Sequence, residues 1–543
     1  MKVGAISLVL LVHAAAARGQ WDQFGGPERN FHCPAGSLAP AWPEKGPPVD
    51  WRREVGEGYS GILVDGERLY TMARRDGAEF VLGLDRATGA TVWEHSYKVD
   101  ITPSAKEFGG GPASTPALAG HRLITIGVGM HLFCLNKTSG KVLWRRSLMD
   151  EFQLPMPGRG YSSSPIVYRN TVILPIGGVD KVNAEDDEPS NGVKDGAVMA
   201  FDLTTGETAW SRHNFPESKA SPILIEFASR QQLVVFTGNE LAGLDPGNGA
   251  LLWRHEHPTS YGFNCATPVF DGVDTLVCSS AYNNWTEAVQ LADHEGKIDA
   301  SQRWSSRRLR VHFTNLLLVG ENVYGSSGMG RPAFVACLDV ATGSTKWMER
   351  GFARANLLHA DGRFVILDED GLLALARFTD EGSEITGRLQ ISDGYAFSAP
   401  TLVGTRLYVR DRKYLTVFDL GSEAVARHES RKDETCRFSL EIPALPDDIE
   451  TRLGHYRTDS PGREPSRVQL LVQDGWLKLD MPRQQRVRLA PMGDGKRWEV
   501  VEDRTSGSIP RRIELLPGKD GEPCGFLLWS PSQAERTYRM RTE

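Results

Sequence analysis

The apolar positions of this chain fall in short runs punctuated by Gly, Pro, Asp and Asn, the rhythm of short strands joined by tight turns. Five of the turns share one spacing: an acidic or amide residue, a small polar residue three positions on, then Gly, and Trp eight positions after the start. They are Asp85-Thr88-Gly89-Trp93, Asn136-Ser139-Gly140-Trp144, Asp202-Thr205-Gly206-Trp210, Asp245-Asn248-Gly249-Trp253 and Asp339-Thr342-Gly343-Trp347. The first side chain is expected to hold turn N–H groups and Gly to take the left-handed conformation. Trp then lies in the outgoing strand and offers a broad surface to a neighbouring sheet. Shortly before each turn stand only small residues, Gly83, Cys134, Ala200, Gly243 and Cys337, so these two cysteines read as small buried hydrophobes.

A second element recurs upstream of the turns, a small residue, usually followed by Pro, that opens a strand. It reads Ser60-Gly61, Thr115-Pro116, Ser164-Pro165, Ser221-Pro222, Thr267-Pro268, Thr314-Asn315, Ala355-Asn356 and Ala399-Pro400, which makes eight units with room for four strands each. Such a period predicts an all-β, eight-bladed β-propeller, because a lone antiparallel sheet cannot bury its faces and a ring of sheets can. The eighth unit ends at Gly421 without a following Trp. Trp51 lies ten residues before Gly61, as Trp304 lies eleven before Asn315, so the N-terminal strand is expected to complete the last blade and close the ring. Blade five keeps Trp304 without the turn, and blade seven has neither.

Composition adds boundaries. The 543 residues, 24% charged and 40% apolar, exclude wholesale disorder and a multi-span membrane protein. A net charge of −7 argues against general nucleic-acid binding. Met1-Lys2, the apolar run from Ala5 and Ala17-Arg18-Gly19 read as a secretory signal over 1–19, too short for a membrane span. A soluble, exported and monomeric protein is expected, periplasmic or extracellular. Seven cysteines are then permitted to pair. Cys265 and Cys278 flank a hairpin at Asp271-Gly272, and Cys436 and Cys524 fall in the C-terminal region.

Catalytic constellations are thin. Neither a Gly-x-Ser-x-Gly elbow nor a His-Glu-x-x-His helix occurs. His255 and His257 share a strand face after Trp253, but read as a solvated surface pair without a third ligand, so no metal site is assigned. The acidic insertion from Asp180 to Asp195 reads as a solvated loop, with calcium as the alternative. The Gly-rich runs 56–60, 109–114 and 158–164 precede innermost strands and are expected to line one mouth of the central channel. Asn136-Lys137-Thr138 and Asn284-Trp285-Thr286 match the glycosylation sequon, the first inside a docking turn.

From about Trp21 to Leu420 these residues resemble the PQQ-like (pyrroloquinoline-quinone) propeller superfamily, known by its Asp-x-x-Thr-Gly-x-x-x-Trp motif. The opening Trp21-Asp22-Gln23-Phe24-Gly25-Gly26-Pro27 is similar to the start of exported BamB-like members. The resemblance implies eight blades and, for those members, binding or assembly without quinone chemistry. Quinone-dependent relatives hold the cofactor over calcium, commonly with a disulfide between adjacent cysteines, and no adjacent cysteines or Cys-x-x-Cys-His haem motif occur here. The expectation is an exported, non-catalytic scaffold taking a protein or small-molecule ligand at the channel mouth, with no cofactor. A PQQ- and calcium-dependent dehydrogenase and a carbohydrate- or peptide-binding module are the alternatives. The propeller is expected over 20–421 and a linker over 422–450. Residues 451–543 alternate again as a small β domain, barrel or sandwich, whose Leu453-Gly454-His455-Tyr456-Arg457 resembles a lipocalin-like barrel.

Overall fold

The computed structural model describes residues 20–430, except 35, 104, 106–109, 178–196, 217, 261, 263, 282–284, 329–332 and 393–394, and beyond 430 the strands between 454 and 540. The expected leader, the acidic insertion, Asn284 and the Cys436–Cys524 pair lie outside the described residues.

Eight antiparallel sheets form the propeller, and four strands of each follow one another from the channel outward. In blade one these are Leu63–Asp65, Arg68–Arg75, Ala78–Asp85 and Thr91–Lys98. The strand Val49–Glu54 pairs with Tyr414–Asp419 as the outer strand of blade eight, with Trp51 opposite Val417, so the N-terminal strand closes the ring. Because the chain reverses at every strand, the docking turns and the first hairpins lie on one face. The loops entering each blade lie on the other.

Each docking turn is held as its residue types dictate. Asp85 Oδ1 accepts from the Thr88 N–H at 3.0 Å, and Asp202 Oδ1 from Thr204 and Thr205 at 2.7 and 2.9 Å. Asn136 Oδ1 takes the N–H groups of Thr138 and Ser139, so the sequon's asparagine side chain is part of its own turn. Asp245 and Asp339 accept in the same way from Gly247 and Thr342. Gly89, Gly140, Gly206, Gly249 and Gly343 all adopt φ between 69 and 76°.

Every one of these glycines carries the tryptophan of the preceding blade. A Cβ on Gly140 would lie 2.3 Å from Trp93, and one on Gly206 would lie 2.7 Å from Trp144. Trp51, Trp210 and Trp304 sit likewise on Gly89, Gly249 and Gly343. The indole N–H then reaches the next blade's turn carbonyl: Trp51 to Arg86, Trp93 to Lys137, Trp144 to Leu203, Trp304 to Val340 and Trp347 to Thr379, at 2.7–3.0 Å. Across their own hairpins Trp93, Trp144, Trp210, Trp253 and Trp304 face the small residues Gly83, Cys134, Ala200, Gly243 and Ala288, while Trp51 faces Val417. In blade seven the ring that lies on Gly387 is Trp42, supplied by the N-terminal segment.

The second recurring element forms a hydrogen-bonded belt around the channel. Outside blades one and seven the innermost strands have no further strand neighbour, so backbone N–H groups there need side-chain partners. Gly61 donates to Thr115 Oγ1, Thr115 to Ser164 Oγ, Ser164 to Ser221 Oγ and Ser221 to Thr267 Oγ1, at 2.9–3.2 Å. Asn315 Oδ1 receives Leu357 N–H at 2.8 Å, Asn356 donates to Phe397, and Thr401 donates to Ile62 at 2.8 Å, which returns the belt to blade one.

The C-terminal unit is a closed barrel of eight antiparallel strands, in chain order from Gly454–Thr458 to Gln533–Met540, with the first strand paired to the last. Leu470, Leu477, Leu479, Leu489 and Trp498 are buried in it.

Candidate functional site

The two mouths of the channel differ. Near the docking-turn face the segment Trp21–Cys33 crosses the inner edges of the blades. Gln20–Trp21 adds a fifth strand inside blade one, and His32–Cys33 pairs in parallel with Ala355–Ala360 of blade seven. Asp22 accepts from Leu118 of blade two, Arg29 donates to Pro165 at the entry to blade three, and Cys33 Sγ to Leu402 of blade eight. Trp21, Arg29 and Phe31 are buried, and burial holds the Arg29 guanidinium down to about 9. The opening sequence that resembled a family signature is therefore a channel plug.

At the loop face, partly buried rings converge from three blades. Tyr59 of blade one and Phe313 of blade six both meet Phe397 of blade eight, with centroids 5.0 and 4.6 Å apart. Arg354 of blade seven lies 4.3 Å over Phe313 and is fixed by a two-point ion pair with Glu369, 2.8 and 2.5 Å. Beside them a cleft of about 550 Å³ is lined by Glu57, Arg74, Arg75, Asp76, Gly110 and Lys413. The Gly-rich runs permit close approach here, since a Cβ on Gly111 would lie 2.3 Å from the Glu57 carbonyl oxygen.

Among the described residues, the carboxylates and amides near this mouth are engaged within the chain. Glu369 is committed to Arg354, and Asp411 Oδ1 accepts the N–H groups of Lys413 and Tyr414. Asp368 accepts from Ala353, Asp370 and Leu372, and burial pushes its carboxyl up to about 7. Asn315 and Asn356 are spent on the inner belt.

A second constellation lies between blades four and five, and it corrects the reading of His255 and His257. His257 is 0% exposed and its Nδ1 contacts Glu287 Oε1. His255 Nε2 lies 3.4 Å from the same oxygen, and Cys278 Sγ lies 3.9 Å from both His257 Nδ1 and Glu287 Oε1. Cys278 stands directly opposite Glu287 in the hairpin of blade five. It is a buried free thiol, so the bridge to Cys265 is not formed. Burial would raise the Glu287 carboxyl, but hydrogen bonds from His255 and His257 hold it down at about 2. The same burial and the adjacent Glu287 push the Cys278 thiol well up.

His257 Nε2 also meets Ser280 Oγ at 3.0 Å, so serine, imidazole and carboxylate stand in the order of an acyl-transfer relay. The proton directions rule that use out. Asn264 Nδ2 donates to the Thr237 carbonyl, which turns its Oδ1 toward Ser280. An amide oxygen only accepts, so the Ser280 O–H points at Asn264 and Ser280 receives Nε2–H from His257. His257 is a donor to Ser280, not its base.

The sequence carried a sign that this site is buried. His257 stands four residues after its docking Trp, where blade two has Leu148, which is 0% exposed.

The model for the family described as outer membrane protein assembly factor BamB matches residues 77–349, half of the chain. The chain is 22% identical over 386 residues to outer membrane protein assembly factor BamB of Shewanella oneidensis, covering 67% of this chain and 87% of that one. It is 23% identical over 335 residues to quinoprotein alcohol dehydrogenase PedH of Pseudomonas putida, covering 50% of this chain and spanning about half, 53%, of that relative. Among solved structures, quinohemoprotein alcohol dehydrogenase from Comamonas testosteroni superposes with a TM-score of 0.51 at 14% identity, covering 76% of this chain and 82% of that one, a likeness of fold.

Proposed function

This chain belongs to the family described as outer membrane protein assembly factor BamB, and from that premise we propose that it is an exported, non-catalytic scaffold. It takes a protein ligand at the loop-face mouth. The observation that carries this is the convergence of Tyr59, Phe313 and Phe397, with Arg354, on one mouth while the other holds the chain's own N-terminal segment. Partly exposed aromatics are side chains that anchor protein interfaces, and the buried Arg354 fixes Phe313 from behind. The commitment of Asp368, Glu369 and Asp411 to donors within the chain supports a reading without quinone. Among the described residues no helix is long and apolar enough to cross a membrane.

The test is photo-crosslinking in the exporting cell from a reactive side chain at Phe397, compared with one at Thr138 on the opposite face. A single adduct from Phe397, lost when Tyr59→Ala and Phe313→Ala are added, is expected. Equal adducts from both positions, or a quinone absorbance that co-elutes with protein after calcium and quinone are supplied, refutes the proposal.

A further inference from the structure

We propose that His255, His257, Cys278 and Glu287 bind one zinc ion that staples blade four to blade five. Zinc takes four nitrogen, sulfur and oxygen donors with bonds of roughly 2.0–2.3 Å, which sets tetrahedral donors about 3.3–3.8 Å apart. The separations of 3.4 Å from His255 Nε2 to Glu287 Oε1 and 3.9 Å from Cys278 Sγ to His257 Nδ1 and to Glu287 Oε1 approach that spacing. The atoms of His257, Cys278 and Glu287 all lie within 4.8 Å of one another. Within these three the His257–Glu287 contact is closer, and it opens as the metal replaces the shared proton; His255 stands outside the three, beside Glu287 Oε1, and completes the set by moving in.

Three further observations point to a metal. First, charge: one thiolate, one carboxylate and two neutral imidazoles balance a divalent cation in a site where His257, Cys278 and Glu287 are each at most 1% exposed. Second, the ligands are oriented from behind. Ser280 and Asn264 hold the proton of His257 on Nε2, leaving Nδ1 as the donor, and Trp285 Nε1 donates to Glu287 Oε2 at 3.2 Å. Ligating histidines are generally fixed through their other nitrogen in this way. Third, the joint needs a fastener. Blade five lacks the docking turn, so Trp253 turns its N–H back to Gln232 of its own blade at 2.6 Å. The two histidines come from blade four and the other two ligands from blade five, so the ion crosses a joint that has no indole link to the next blade.

Purified full-length protein is stripped with chelator, reloaded with zinc or cobalt, dialysed and assayed for bound metal. One equivalent per chain is expected, with a thiolate-to-cobalt charge-transfer band for the cobalt form and a rise in Tm for the zinc form. Cys278→Ser abolishes that band, and Ser280→Ala, which removes only the support behind His257, weakens zinc binding about 10- to 100-fold. A chain that stays folded by circular dichroism yet retains no zinc or cobalt overturns the proposal, as does a cobalt band that survives Cys278→Ser. Should the variants not fold, the stoichiometry and band of the wild-type chain decide.

Discussion

The joint between blades two and three and the joint between blades four and five occupy the same place in the repeat and are built from opposite materials. Leu148 follows Trp144 by four residues, as His257 follows Trp253. Leu174 pairs with Met199 beside the small Ala200, as Cys278 pairs with Glu287 beside the small Ala288. At the first joint Leu148, Leu174 and Met199 belong to one apolar cluster. At the second the same three positions carry imidazole, thiol and carboxylate. The fold therefore does not require polar groups there, and a buried ionic group in their place costs desolvation that needs a return. The docking links differ in parallel: Trp144 bonds Leu203 of the next blade, and Trp253 bonds its own.

The largest expected effect comes from breaking the polar joint by one residue. Glu287→Ala leaves His255, His257 and Trp285 without the carboxylate they share and should cost about 3–5 kcal/mol in metal-free protein. Importing the apolar joint whole, as His257→Leu, Cys278→Leu and Glu287→Met together, should be neutral or stabilising in the same buffer. Urea denaturation with chelator present measures both. A triple variant as unstable as the single one would mean that the two joints are not interchangeable.

A docked turn and an undocked one can be compared through their glycines. Gly206 has φ 76° and a Cβ there would lie 2.7 Å from Trp144, whereas Gly296, in the hairpin of blade five, has φ 90° and open space around it. Gly206→Ala meets both the left-handed strain and a ring that cannot retreat, and should cost about 2–4 kcal/mol. Gly296→Ala meets only the strain, about 1–2 kcal/mol. Thermal unfolding of the two variants side by side checks the order; equal losses would show that the indole yields.

How much of this was legible follows from the same comparison. The docking turns were readable because five copies share residue types whose physics is local: a carboxylate or amide for turn N–H groups, Gly for positive φ, Trp for area. The inner belt was visible only as a recurring Ser or Thr before Pro, since its hydrogen bonds run 46–57 residues along the chain. The zinc ligands escaped because they come from separate strands of two blades and occur in one copy, and because an outer strand reads as solvated. His257 lies just beyond that strand, at the level where the chain turns under the next blade. The plug escaped for a different reason: Trp21, Arg29 and Phe31 have no repeat partner, and their burial depends on a channel formed by all eight blades.

The smallest effect uses a third version of the same position, in the joint between blades one and two. Tyr97 follows Trp93 by four residues, and its hydroxyl donates to Glu79 Oε2 at 2.7 Å while Val128 N–H donates to Oε1 at 3.1 Å. Burial raises the Glu79 carboxyl above its ordinary range despite these two hydrogen bonds. The folded chain therefore binds this proton more readily than the unfolded one, so its contribution to stability falls as pH rises through the ordinary carboxylate range and levels off above the raised value. Glu79→Gln removes the titration and keeps an amide oxygen for Val128. The Tm of Glu79→Gln relative to wild type should accordingly rise with pH from about 4.5 upward. A difference that stays constant across the titration would place Glu79 with the fully compensated carboxylates, and this joint would then be polar without electrostatic cost.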